Sequence, residues 1–432
     1  MTSSNQSNRN PRRRTLASRA AAVLALIACA APAAANIIAD WSLLAANTVN
    51  AAGFPATTPE EQRPTAALDL ATVHVAIYDA VNAIDHRYET FAATPAAPTA
   101  GASTESATGA ATCRVLQVLF PNRSSVYSQA CAGYLPSSTG TTAQLKGVAV
   151  GVDVADKILA LRKDDGRSTV VTYTPTGTPG SFVPFPPNPT PVGINFPFVR
   201  PFTLTSAAQF RAYGPPDLTS ARYARDLNES EALGGAVSAT RTPEQEELAR
   251  FATENPGIYT PRLIRSFADD GRSVVQNARL QAMMWVAQAD VTISCFDSKY
   301  YFTAWRPRAA IPGADLDHND ATVADPTWLP FVPTPNHPEY PAAHTCSDGA
   351  VGETLNQFFG TNHVEFDVDS TVTGTVRHYH NTDDYVRDIG LARIYGGMHF
   401  RTSAVHGALM GREVAQWVAT NHFRPLKPPH RW

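Results

Sequence analysis

Apolar residues recur at three- and four-residue spacing along most of this chain. Leu70, Val73, Ile77, Ala80, Val81 and Ile84 form one such stripe, opening after Pro64, and Leu145, Val148, Val152, Ala155 and Leu159 form another that stops near Asp164-Asp165-Gly166. That period predicts amphipathic helices packed in a bundle. Thr242-Pro243-Glu244-Gln245 reads as a capping box with proline at the first helical position, so a further helix starts there and runs past Leu248 and Phe251. Gln276 to Val291 is a strongly apolar helix whose Met283 and Met284 read as core, and Ala404 to Val418 is the last clear one.

Between Gly166 and Pro201 the pattern fails. Eight prolines, from Pro175 to Pro197, are interleaved with Phe182, Phe185, Phe196 and Phe198, which forbids helix but supplies anchors for an ordered loop strapped over the bundle and walling a site. Alternating strands are scarce, and the expected class is all-α, with one domain over residues 36–432 that can divide into bundles at about 36–240 and 241–432.

The first thirty-five residues stand apart. Arg12, Arg13, Arg14 and Arg19 precede an apolar run from Ala20 to Ala31 and a small-residue site at Ala33-Ala34-Ala35, the layout of an export signal. The paired arginines resemble a twin-arginine signal, and Leu26-Ile27-Ala28-Cys29 fits a lipoprotein cleavage site; both point to a secreted or periplasmic protein. Removing the segment leaves 30 basic against 38 acidic residues, a formal charge of −8, which argues against a nucleic-acid partner. No later stretch reads as a transmembrane segment. Four cysteines remain, for which Cys113–Cys131 and Cys295–Cys346 are the expected disulfides, the second because Cys295 lies four residues before Lys299 and Cys346 two after His344.

Three C-terminal segments carry chemistry. Asp297 or Ser298 is placed to cap a short helix that Pro307 ends, and within it Lys299 and Arg306 are seven apart, about 20° around the axis, so both cations face one anion. Pro341 marks a helix start followed by Ala342, Ala343 and His344, whose free N–H groups suit an anion. Arg393 and His399 flank Gly396-Gly397, which permits a bend. His74, His86, His378, His380 and His406 lack such cationic company and read as surface or core residues.

Lys299-x6-Arg306-Pro307, Pro341-Ala342-Ala343-His344 and Arg393-x5-His399 resemble, in internal spacing and in order, the three-part signature of vanadium-dependent haloperoxidases and the type 2 phosphatidic acid phosphatase superfamily. The likeness extends upstream through Thr72–Ile84 and Arg241–Phe251. It implies helical bundles with the site in the C-terminal one, and vanadate as cofactor. His399 would be the metal ligand, Lys299, Arg306, Arg393 and the Ala343 amide would bind the oxyanion, and His344 would act as acid and base, with Lys299 polarising the peroxide. Hydrogen peroxide, halide and a small organic molecule are the implied partners, and His337, seven residues before His344, tilts the halide toward bromide or iodide. The implied alternative is an acid phosphatase holding phosphate, with His399 as nucleophile, and a third reading is a non-catalytic oxyanion binder. One departure stands out, since the usual Ser-Gly before the histidine is here Ala342-Ala343. Asp290 and Glu339 are the candidate carboxylates for orienting His344.

Overall fold

The structure, a computed structural model, describes residues 36–52, 65–134, 139–186, 190–267 and 271–426. The leader assigned to residues 1–35 lies outside them. Helix α1 (Ile37–Val49) is capped by the Asn36 side chain on the Ala39 amide. The first apolar stripe forms α2 (Ala66–Asp85), buried nearly all round; it is long and apolar enough to cross a membrane, but 83% of its apolar window lies inside the protein, as in a core helix. Its His74 is buried against Trp285, with ring centroids 6.0 Å apart, and burial lowers its pKa to about 3.

Next come α3 (Thr104–Leu119), α4 (Ser124–Cys131) and α5 (Thr142–Arg162), the second predicted stripe, begun by a Thr141/Gln144 capping box. Gly147 and Gly151 sit one turn apart on α5, where a methyl would meet the Ser103 and Ala107 carbonyls of α3 at 2.3 and 2.4 Å, so the two backbones touch. The Cys113–Cys131 disulfide ties α3 to α4 as expected.

The proline-rich stretch is the predicted strap. Phe182 and Phe196 are buried in the core, and the Asp290 carboxylate accepts from the Phe202 and Thr203 amides at 2.6 and 2.8 Å. Then follow α6 (Ala221–Gly234), α7 (Pro243–Phe251), with the Thr242/Gln245 capping box read in the sequence, and α8 (Pro256–Leu263).

Helix α9 (Val274–Phe302) corrects one expectation. The predicted break at Asp297 or Ser298 does not occur, because the Asp297 carboxylate pairs with Arg211, in the loop that follows the strap, at 2.7 Å and the Ser298 hydroxyl donates to the Ser294 carbonyl one turn back. The helix ends at Thr303, with φ 47°, and Arg306 precedes a separate short helix, α10 (Pro307–Ala310). Lys299 and Arg306 therefore share no helix face.

The remainder comprises α11 (Ala343–Phe359), starting two residues after Pro341, the antiparallel hairpin β1 (Phe366–Asp369) and β2 (Val376–Tyr379), α12 (Thr382–Tyr395) and α13 (Arg401–Asn421). That hairpin is the one sheet among the described residues, so the class is all-α. Gly407 and Gly411 of α13 meet α11 as the glycines of α5 meet α3, with the Ala342 and Cys346 carbonyls 2.7 and 2.3 Å from where a methyl would stand. Helix α2 packs on α9, and α9 packs on α11 and α13, which brings all three motifs to one place.

Cys295 and Cys346 are buried free thiols, against the disulfide expected of them. They lie side by side, but Cys295 Sγ faces the Pro341 carbonyl at 3.8 Å and Cys346 Sγ faces Met410 Sδ at 4.0 Å, so each has a partner in place.

Candidate active site

A cavity of about 290 Å³ opens between α9, α11, the strap and the Arg393–His399 turn, lined among others by His337, Ala343, His344, Arg393 and His399. Val192 of the strap forms part of its wall. Lys299 and Arg306 lie behind that lining, fully buried.

His399 is held from two sides. Its Nδ1 lies 2.8 Å from Glu339 Oε1, and its Nε2 lies 2.9 Å from Arg306 Nη1. A carboxylate accepts and a guanidinium donates, so the ring carries its proton on Nδ1 and its Nε2 lone pair accepts from Arg306. Burial, with Arg306, Lys299 and Arg393 nearby, drives its pKa well below the ordinary range, which keeps the ring neutral. Glu339 Oε1 also accepts from the Phe400 amide at 3.1 Å. Burial raises the Glu339 pKa to about 7 against the pull of Lys299 and Arg306.

Arg306 is the junction of the site. Its Nε donates to the His337 carbonyl and Nη1 to the Met398 carbonyl, both at 2.8 Å, and Nη2 lies 2.9 Å from His337 Nδ1. Burial lowers its pKa only to about 10, so it stays cationic at neutral pH. The His337 ring packs on Phe296, with centroids 5.2 Å apart.

Lys299 faces away from the cavity. Its ammonium donates to the carbonyls of Pro338 and Glu339 at 2.9 Å and of Pro341 at 2.5 Å, which uses all three N–H bonds on main chain. Burial brings its pKa down to about 8. Sequence spacing brings Lys299 and Arg306 to one site, but as a clamp on the segment that carries Glu339 and a neighbour of His399, respectively.

His344 stands in the first turn of α11, half-buried, with Nε2 3.1 Å from the Glu254 carbonyl. A carbonyl accepts, so the proton is on Nε2 and Nδ1 is the free acceptor. Burial and then Arg393 hold its pKa well below the usual imidazole value. Neither expected carboxylate serves it. Asp290 is spent on the strap, as described, and Glu339 orients His399 instead. Ala342 gives α11 no side-chain cap.

Arg393, in the last turn of α12, donates through Nη1 to the Ala252 carbonyl at 2.8 Å and through Nη2 to Met398 Sδ at 2.7 Å, while its buried Nε has no partner. Burial lowers its pKa to about 9. Asp348 lies behind it and accepts from the Tyr259 hydroxyl at 2.7 Å and the Tyr385 hydroxyl at 2.6 Å.

Two lining residues escaped the sequence reading. Gln288 of α9 and Ser347 of α11 face the same cavity; the Ser347 hydroxyl donates to Gln288 Oε1 at 2.8 Å, which leaves the buried Gln288 Nε2 without a partner. Their signal is faint, a polar residue among apolar ones on α9, which alone does not distinguish a site from a core hydrogen bond. A buried amide N–H and a buried guanidinium N–H without partners, together with an uncapped helix start, thus belong to residues that line one cavity with His399.

Residues 279–427 match a family model described as the VCPO second helical-bundle domain. The vanadium chloroperoxidase of Curvularia inaequalis is 27% identical over 267 residues, which are 48% of this chain and 42% of that protein, so the match spans less than half of the relative. A bacterial vanadium-dependent iodoperoxidase of known structure superposes with a TM-score of 0.75 at 23% identity, covering 91% of this chain and 98% of that one. The holo-type bacterial vanadium-dependent chloroperoxidase gives 0.68 at 17% identity, covering 87% and 94%. The chain thus shares its helical architecture with solved vanadium haloperoxidases along most of its length, and its C-terminal bundle matches the VCPO second helical-bundle domain in sequence.

Proposed function

We propose that this protein binds vanadate in the cavity described above and oxidises halide with hydrogen peroxide to hypohalous acid, bromide or iodide being favoured. The reading rests chiefly on His399, a neutral imidazole lining the cavity whose Nδ1 proton is fixed on Glu339 and whose Nε2, which here accepts from Arg306, is the atom that would exchange that hydrogen bond for the metal. Bound vanadate supplies a Lewis-acidic centre at which peroxide becomes electrophilic toward halide.

In this reading His399 Nε2 is the single protein ligand. Arg393, through its unpaired Nε, and Arg306 neutralise the oxyanion, and the Ala343 amide and Gln288 Nε2 add neutral donors. Gln288 offsets part of what is lost where Ala342 replaces a serine. His344, with Nδ1 unprotonated, takes a proton from peroxide and returns it to the leaving oxygen. Lys299 acts by holding the Pro338–Pro341 segment, and so Glu339, in place, while its charge adds to the field over the site. His337, packed on Phe296 at the cavity wall, supports the preference for the larger, more polarisable halides.

The test is to load the purified protein with vanadate and follow peroxide-dependent halogenation of a phenolic dye with iodide, bromide and chloride. Turnover with iodide or bromide that requires vanadate is expected. No vanadate-dependent turnover with any halide overturns the proposal, and hydrolysis of an aryl phosphate by vanadate-free protein, blocked by vanadate, would replace it with the phosphatase on the same histidine.

A further inference from the structure

Outside the cavity, the β1–β2 hairpin gathers a second set of ligand-bearing side chains. We propose that its outer face is a binding site for a divalent transition-metal ion such as zinc, formed by His378 and His380 with Glu365 and Asp367. The strand register places Asp367 opposite His378, and one step along brings Glu365, just before β1, beside His380, just after β2. Successive residues of a strand point to opposite faces, so His378 and His380, two apart, emerge on one side with both carboxylates.

The side-chain geometry follows that register. His378 Nδ1 lies 2.8 Å from Asp367 Oδ1, and His380 Nδ1 lies 3.2 Å from Glu365 Oε1. The two imidazole centroids are 4.7 Å apart, with planes at 82°. One ligand atom each from Glu365, His378 and His380 falls within 4.8 Å of the other two, a spread that small side-chain rotations close onto one ion. The inner face of the hairpin is fixed, since Phe366 and Tyr379 are buried and pack edge-to-face with Tyr385 at centroid separations of 5.4 Å each, so the outer face is displayed on a rigid support.

Charge and chemistry select the ion. Two imidazoles and two carboxylates neutralise a divalent cation, and nitrogen donors favour zinc, copper or nickel over the oxygen-seeking calcium and magnesium. Because these side chains are well exposed, binding requires little desolvation, and water completes the coordination shell. The competing reading is two cross-strand hydrogen-bonded pairs that hold no ion.

Calorimetric titration of the chelator-treated full chain with zinc chloride in a non-coordinating buffer separates the two. One saturable site per chain is expected, weakened about tenfold or more in a His378→Ala/His380→Ala variant and less in Glu365→Gln, with circular dichroism unchanged in all three proteins. Copper(II) added at one equivalent should show nitrogen hyperfine structure in its electron paramagnetic resonance spectrum, lost in the double variant. Absence of saturable zinc binding, or the same affinity in the double variant as in the parent, overturns the proposal.

Discussion

Replacing Glu339 by glutamine tests the orientation of His399 with little change of shape. Glu339 Oε1 receives the His399 Nδ1 proton at 2.8 Å and the Phe400 amide at 3.1 Å. Glutamine keeps an acceptor oxygen there but removes the charge. A charge-assisted hydrogen bond contributes about 1.5–3 kcal/mol against about 0.5–1.5 for a neutral one, so the basicity lost at Nε2 should cost roughly 1.4 kcal/mol, or about tenfold in vanadate affinity. The effect must also depend on pH. Burial raises the Glu339 pKa to about 7, so below that value the native carboxyl is already neutral and resembles glutamine, while above it the charge is present and the substitution removes it. Vanadate titration by calorimetry or vanadium NMR should therefore give a ratio of variant to native dissociation constants near one at pH 5.5, rising to about ten at pH 8.5. Vanadate speciation cancels in that ratio. A ratio that stays at one throughout, or that falls as pH rises, refutes the assignment of Glu339 as the partner of His399.

Four further outcomes follow from the same geometry. Ala342→Ser places a hydroxyl at the uncapped start of α11 and should add about 1 kcal/mol of stability in urea unfolding while tightening vanadate binding; loss of both would show that the site has no room for a cap. Lys299→Met keeps the aliphatic stem but leaves the Pro338, Glu339 and Pro341 carbonyls without a donor, so unfolding free energy should fall by at least about 3 kcal/mol, and an unchanged denaturation midpoint would contradict the clamp. Asp348, whose pKa burial raises to about 7, holds in the folded state a proton the unfolded chain has released; its contribution to stability falls as pH rises from about 4 to 7, so Asp348→Asn should compare better with the native protein at pH 8 than at pH 5 in thermal melts, and the reverse slope would exclude it. Alkylation of the unfolded, unreduced chain followed by peptide mapping should label Cys295 and Cys346 and spare Cys113 and Cys131, and a peptide cross-linked through Cys295 and Cys346 would restore the pairing expected from sequence.

Much of the fold was legible because its signals are local. The stripe over Leu70–Ile84 and the Thr242/Gln245 box mark α2 and α7 through periodicity and capping, which need no knowledge of the rest of the chain. The length of α9 was not legible, since whether Asp297 and Ser298 stop a helix depends on Arg211, 86 residues away, and on the Ser298 hydroxyl turning back onto its own helix. In the site, His337, Ala343, His344, Arg393 and His399 reach one cavity, as the motif spacing anticipated. Lys299 departs from expectation because its acceptors are main-chain carbonyls, which leave no mark on side-chain sequence. Glu339 was named as a carboxylate near the site, but which imidazole it serves is set by the turn after Arg393.

That turn rests on a contact between two backbones. Gly397, with φ +70°, stands where an added methyl would meet the Gly234 carbonyl at 2.3 Å, and a methyl on Gly234 would in turn meet Gly397 Cα at 2.6 Å. The loop that aims His399 is thus seated on the end of α6, with no side chain between them to flex or be trimmed. Selection for a new substrate would consequently have little freedom to re-aim the imidazole by ordinary substitutions in this loop. Diversification within this architecture should instead accumulate in the strap around Val192, where the cavity wall can change shape while the turn that carries His399 is left untouched.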